Sequence, residues 1–256
     1  MCRIYDPPPE NRYDPAIRVI GTFSVRSASG GVLRFPTRRT RDLLAYLLCF
    51  HERRTGREEI LARLFPGPDP GKAHNNLYVT MHRLRGLLAG ADIMEGGLVF
   101  RTDGSLQIGD GICDYVDLRR FMRANAVIRD DNAARALQLS RGIRGGLLDG
   151  IDTGWATETR LWFLKQCERL MLQTAAHETA HGRVREAEEV LTLLMRLDGY
   201  AEPAYLALMD LYMERGDNEA FRRIYTSYRQ VMVTELDLAP EPKYAFHAAR
   251  VGIMGG

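Results

Sequence analysis

Long apolar stretches are missing from this chain of 256 residues: the longest unbroken run, Leu43 to Phe50, is far too short for the roughly 20 residues a membrane-spanning helix needs. The opening stretch, MCRIYDPPPENRYDP, lacks the apolar core of a signal peptide, and no Asn-x-Ser/Thr site or lipidation signal follows. Cysteine is scarce. Cys2, Cys49, Cys113 and Cys167 stand far apart without a CxxC pair, which argues against a zinc knuckle or a redox dithiol and fits incidental thiols in a reducing cytoplasm. A dominant charge is lacking as well, since 35 basic residues against 33 acidic ones leave only +2. These absences predict a cytoplasmic protein without a membrane partner, long enough for one large domain or two of ordinary size.

The charge that is present lies unevenly. Residues 1–112 hold 16 basic and 12 acidic side chains, while residues 113–256 hold 19 and 21; within residues 34–88 the count is 11 against 5, a net of +6. A positive field concentrated in one half attracts nucleic acid without making the whole protein basic. At its centre, residues 71–88 (GKAHNNLYVTMHRLRGLL) read as an amphipathic helix with Leu77, Met81, Leu84 and Leu88 on one stripe at i, i+4, i+7 and i+11. The other face carries Lys72, His74, Asn75, Asn76, Thr80, His82, Arg83 and Arg85. All of these are residue types able to hydrogen-bond base edges or neutralise phosphates, and no carboxylate stands among them. The competing reading is a basic face that is merely solvated.

The segments around this helix favour the first reading. After a Pro-rich leader over residues 1–15, expected to be disordered, residues 16–25 read as a strand, Ser29 to Gly31 as a turn and Val32 to Phe35 as a second short strand. Pro36 and Thr37 then start a helix from Arg38 to Arg53 that buries Leu43, Leu44, Leu47 and Leu48. A short helix from Arg57 to Leu64 follows, ended by Pro66, Gly67 and Pro68. Behind the basic helix, Ile93 to Phe100 and Ser105 to Ile108 form a hairpin with Arg101 at its tip. Three helices with a basic hairpin make a winged helix-turn-helix over residues 16–112.

Residues 113–256 are expected to be all helical, with a pivot at Gly142 to Gly154 and a long helix from Trp155 to His181. Gly182 and Gly216 lie 34 residues apart, the period of tetratricopeptide-like hairpins. Ala187, Val190, Leu191, Leu194 and Leu197 make one inward face, and Phe221, Ile224, Tyr225, Tyr228 and Val231 another; such hairpins must stack to bury them. The fold class is therefore mainly α.

On these pieces the chain resembles the SARP-type bacterial transcriptional activators, which join a response-regulator-type winged helix to a bacterial transcriptional activator domain. The likeness rests on the strand Val19 to Val25, RRTRDLLAYLL, EEILARLF and NNLYVTMHRLRGLL, then on VDLRRF, the helix start at Trp155, HGRVREAEEVL and TELDLAPEP, in that order. Two departures stand out: Ser105 follows Gly104 where an aromatic is common, and Phe221 stands where a small Ala is usual. No receiver, P-loop ATPase or phosphopeptide-binding module is recognisable beside the pair. The resemblance implies double-stranded DNA as partner, recruitment of RNA polymerase, and homodimers on direct repeats.

In that arrangement the basic helix enters the major groove, and Asn76, Thr80 and Arg83 are the candidates for base contact: Arg pairs bidentately with guanine and Asn with adenine. Arg39, Arg41, Arg57, Lys72, His82 and Arg85 are expected to hold phosphates, which supply salt-sensitive affinity without sequence information. Arg101 is the candidate for the adjacent minor groove.

Two other readings compete. His177, Glu178, Thr179, Ala180 and His181 match the HExxH pattern of zinc metalloproteases, in which two His at i and i+4 hold zinc and the Glu activates water. Gly182 ends that helix at once, and Glu186, Glu188 and Glu189 fall on the next one, so no third ligand is evident; the expectation is no metal, no cofactor and no enzymatic activity. A tetratricopeptide-like interaction scaffold with a basic docking module is the remaining alternative.

Overall fold

The computed structural model describes residues 17–27, 30–50, 54–90, 98–100, 105–108, 117–124, 127–143 and 145–253. The chain divides into two compact units, one of Met1–Arg123 with Gly145–Phe163, the other of Ala124–Arg144 with Leu164–Gly256. The boundary expected between residues 112 and 113 differs from this division, because two later segments fold with the first unit.

The first unit opens with strands β1 (Ile17–Arg18) and β2 (Ser24–Val25), antiparallel with Ile17 opposite Val25 and Arg18 opposite Ser24. The single strand expected over residues 16–25 is thus a hairpin, since Gly21 at φ +83° reverses the chain in a region open to glycine at no steric cost. The second expected strand shrinks to one bridge between Arg26 and Val32. Helix α1 (Arg38–Cys49) starts where Thr37 accepts a hydrogen bond from the Thr40 N–H at 3.2 Å and buries Leu43, Leu44, Leu47 and Leu48 completely. Phe50 closes it by donating to the Tyr46 carbonyl.

Helix α2 (Arg57–Leu64) and helix α3 (Pro70–Gly90) follow. Strands β3 (Leu98–Phe100) and β4 (Leu106–Ile108) pair antiparallel with Phe100 opposite Leu106, which is the expected hairpin; residues 93–97 and 101–104 lie outside the described residues. Thr55, between α1 and α2, exchanges two backbone hydrogen bonds with Leu106 at 2.9 and 3.0 Å, so the hairpin gains a third strand of one residue. Three helices backed by this small sheet are a winged helix-turn-helix.

Helix α4 (Asp117–Ala124) holds the first hairpin in place. The Asp117 carboxylate accepts from the Val19, Ile20 and Leu118 N–H groups at 2.7–3.0 Å, yet burial outweighs these donors and the nearby Arg18, and pushes the carboxyl up to about 6. Residues 145–151 then lie along the same hairpin: Gly21 N donates to Gly146 O, Leu148 N to Val19 O, and Asp149 N to Gly21 O. A side chain at Gly145 would stand 2.8 Å from Asp149 Oδ2 and 3.5 Å from the Gly21 Cα, so the Asp149 carboxylate would have to swing aside to admit one. Arg160, on helix α5 described next, donates to the carbonyls of Leu147, Leu148 and Ile151 at 2.7–2.9 Å, and Trp155 packs edge-on against Tyr46 at 5.0 Å. This cluster completes the core of the first unit.

Helix α5 (Gly154–Ala180) begins in the first unit and ends in the second. The second unit also holds helices α6 (Ala133–Gly142, ahead of α5 in the chain), α7 (Val184–Leu197), α8 (Glu202–Arg215), α9 (Asn218–Arg229) and α10 (Pro242–Arg250). The predicted 34-residue repeat appears as one turn made twice. Gly182 (φ +72°) donates to Thr179 O while Arg183 donates to Glu178 O; Gly216 (φ +67°) donates to Met213 O while Asp217 donates to Tyr212 O. Each is a Schellman closure in which the left-handed glycine lets the last carbonyls of a helix find donors.

The inward faces of α7 and α9 bury Ala187, Val190, Leu191, Leu194, Phe221, Tyr225 and Tyr228. Leu197, Ile224 and Val231, expected on the same faces, are only half-buried; past α9 a π-helical turn over Gln230–Glu235 widens the spiral, and Met232 takes the buried place. Phe221, the departure from the family pattern, stacks on Tyr225 at 5.7 Å and meets His247 edge-on at 4.6 Å, which joins α9 to α10. No helix among the described residues is long and apolar enough to cross a membrane.

Candidate nucleic-acid interface

Helix α3 is held by one face and offers another. Leu77, Thr80, Leu84 and Leu88 are buried, whereas Met81 is only half-buried, so the buried stripe is turned slightly from the leucine and methionine positions expected. Thr80 is only 5% exposed, between the packed side of the helix and the groove whose wall it shares with Asn76 and Arg83. The sequence did not reveal this because threonine is tolerated in a core as readily as on a surface.

Lys72, Asn76, His82, Arg83 and Arg85 are exposed. Lys72, Asn76 and Arg83 stand at i, i+4 and i+11, close to one line along the helix, while His82 and Arg85 lie further round. The helix contains no acidic residue in its 21 positions. Its start is fixed by Asp69, whose carboxylate accepts from the Lys72 N–H at 3.0 Å, and His74 turns back to the Pro70 carbonyl at 2.7 Å.

Arg39, Lys72, Asn76 and Arg83 line one open groove along this helix. Arg39 is positioned rather than loose: its guanidinium donates to the Leu64 carbonyl at the end of α2 and lies over the Phe65 ring at 5.6 Å. Arg57 is exposed at the first position of α2. Arg41 differs, because its guanidinium is bound by the neighbouring Asp42 carboxylate at 2.9 and 3.0 Å, and a phosphate would have to compete with that pair. Arg101 lies outside the described residues.

The family model for the bacterial transcriptional activator domain matches residues 116–250, just over half of the chain. The chain belongs to the bacterial transcriptional activator domain family. This match bears out the SARP-type resemblance, and a regulator of transcription is no enzyme class. Among solved structures the fold is similar to Mycobacterium tuberculosis EmbR in complex with a low-affinity phosphopeptide, with a TM-score of 0.70 and 21% identity over 93% of this chain. The chain spans 65% of the EmbR chain, less than two thirds of its length. No curated protein matches it significantly.

Within the bacterial transcriptional activator domain, two features escaped the sequence reading. Residues 117–123 and 145–163 belong to the matched span but fold with the winged helix. The local hint is the mixed Gly and Leu stretch over Gly142 to Gly154, which on sequence alone reads as a pivot. The second is Asp130, 47 residues before His177 and in contact with it; no spacing rule connects the two. The HExxH reading as a hydrolase fails on geometry: Glu178 is enclosed and its carboxylate is occupied by Arg183, which draws its pKa down, so it is not free to activate a water.

Proposed function

We propose that this protein is a sequence-specific double-stranded DNA-binding regulator, an activator that recruits RNA polymerase, with α3 in the major groove and the hairpin of β3 and β4 as the wing. The observation that carries this is a helix anchored by Leu77, Leu84 and Leu88 whose exposed face is basic or amide and free of carboxylate. Asn76 and Arg83 read bases. Arg39, Arg57, Lys72, His82 and Arg85 hold phosphates, Arg41 joins them only by leaving Asp42, and Arg101 enters the minor groove. The helical unit supplies the protein contacts, to polymerase and to a second copy on direct repeats, in the cytoplasm.

Selection of preferred sequences from random duplex DNA by the full chain tests the reading. Binding of a defined site is expected, with two half-sites in the same orientation, and Arg83→Ala is expected to weaken that site by roughly tenfold while leaving non-specific DNA nearly unchanged. Equal weakening on every sequence would make Arg83 a phosphate clamp. Enrichment of no sequence at all would favour the interaction scaffold.

A further inference from the structure

We propose that Asp130, His177 and His181 form a binding site for one divalent transition-metal ion of the zinc class, which staples the turn over residues 127–132 to the C-terminal end of α5. All three residues belong to the second unit, and one donor atom from each lies within 4.8 Å of the others. Asp130 Oδ1 stands 2.9 Å from His177 Nε2 and 3.2 Å from His181 Nε2. Neighbouring ligands around a four-coordinate zinc stand about 3.3 Å apart, so a shift of a few tenths of an ångström opens these pairs to admit the ion.

The donors are aimed from behind. His181 Nδ1 lies 2.8 Å from the His177 carbonyl oxygen, which only accepts, so Nδ1 carries the proton and the Nε2 lone pair faces Asp130. His177 Nδ1 has Glu178 Oε1 at 3.4 Å and Arg183 Nη2 at 3.5 Å on its far side, and the two rings stack at 4.2 Å. The turn that carries Asp130 is preformed: Asn132 accepts from the Arg129 N–H at 2.8 Å and donates to the Val127 carbonyl at 3.0 Å. His177 stands in the last turn of a 27-residue helix and His181 directly follows its end, where unpaired carbonyls and the macrodipole favour a cation. Two imidazoles and a carboxylate select zinc, nickel or cobalt over magnesium and calcium, which prefer all-oxygen shells. With Glu178 held by Arg183, the ion is structural.

The test uses the full chain, stripped with a chelator and titrated separately with Zn²⁺ and Co²⁺ by calorimetry and visible absorption. One equivalent is expected to bind, with affinity reduced about tenfold or more in Asp130→Ala and in His181→Ala, and zinc is expected to raise the melting temperature of the unsubstituted chain alone. The cobalt spectrum is expected to lack a thiolate charge-transfer band. Equal affinity in the unsubstituted chain and the Asp130→Ala variant, a thiolate band, or no stoichiometric binding overturns the site. Asp130 has a side chain 84% exposed, so Asp130→Ala keeps the fold and decides the matter by itself where His181→Ala does not fold.

Discussion

The helical unit and helix α3 treat their cations differently, although elsewhere in the first unit Arg41 meets Asp42 and Arg63 meets Glu158. In the helical unit arginine and lysine meet carboxylates: Arg141 with Glu189, Lys165 with Glu168, Arg183 with Glu178, Arg223 with Glu219 and Lys243 with Asp210. On α3 of the winged-helix unit, no carboxylate among the described residues pairs with Lys72, His82 or Arg83. The same residue types therefore serve two ends. Paired, they tie neighbouring turns and helices at little net energy; left on a helix without acidic neighbours, they keep a positive field available to a polyanion. A near-neutral total charge conceals this contrast.

The contrast is open to being broken, beginning with the support of α3. Trp155→Ala removes a buried ring from against Tyr46 and is expected to cost about 3–5 kcal/mol in the first unit. Amide hydrogen exchange along α1 measures it. A loss below about 1 kcal/mol would mean that the winged helix does not lean on residues after 145.

Asp117 comes next. Its folded pKa of about 6 exceeds the ordinary value, so between about pH 4 and pH 6 the folded state keeps a proton that the unfolded chain has released, and stability falls as pH rises through that window. The effect is at most about 3 kcal/mol. Urea melts across that range, compared with Asp117→Asn, isolate it: the unsubstituted chain is expected to show the steeper decline, and parallel curves would contradict the burial argument.

Smallest is the direct test of the charge contrast. Lys72→Ala is expected to lower the slope of log affinity against log salt for DNA by about 1, and Arg223→Ala to leave it unchanged and alter stability by no more than about 0.5 kcal/mol. Fluorescence anisotropy at several salt concentrations reads both slopes. A matching change in Arg223→Ala would extend the DNA surface into the helical unit.

Much of the architecture was legible in the residues. The starts of α1 and α2, the span of α5 to within a residue at each end, the hairpin of β3 and β4, and the twin turns at Gly182 and Gly216 all follow from caps, periodicity and turn chemistry. These are local signals, set by neighbours within a few positions. The reading of residues 16–25 as one strand failed because alternation is blind to a single left-handed glycine.

For the candidate site, the sequence by itself determined that one helix would be greasy on one side and basic on the other, since composition and a 3.6-residue period suffice for that. Only the tertiary structure decided that Thr80 is nearly covered, that Arg41 is claimed by Asp42 while Arg39 is braced on α2, that Gly145–Phe163 joins the winged-helix unit, and that Asp130 meets two histidines 47 and 51 positions later. The reason is physical. A period fixes which residues share a face, but how far that face rotates against its neighbour, and which distant segment closes over it, depend on packing between parts of the chain that carry no mark of one another in their order.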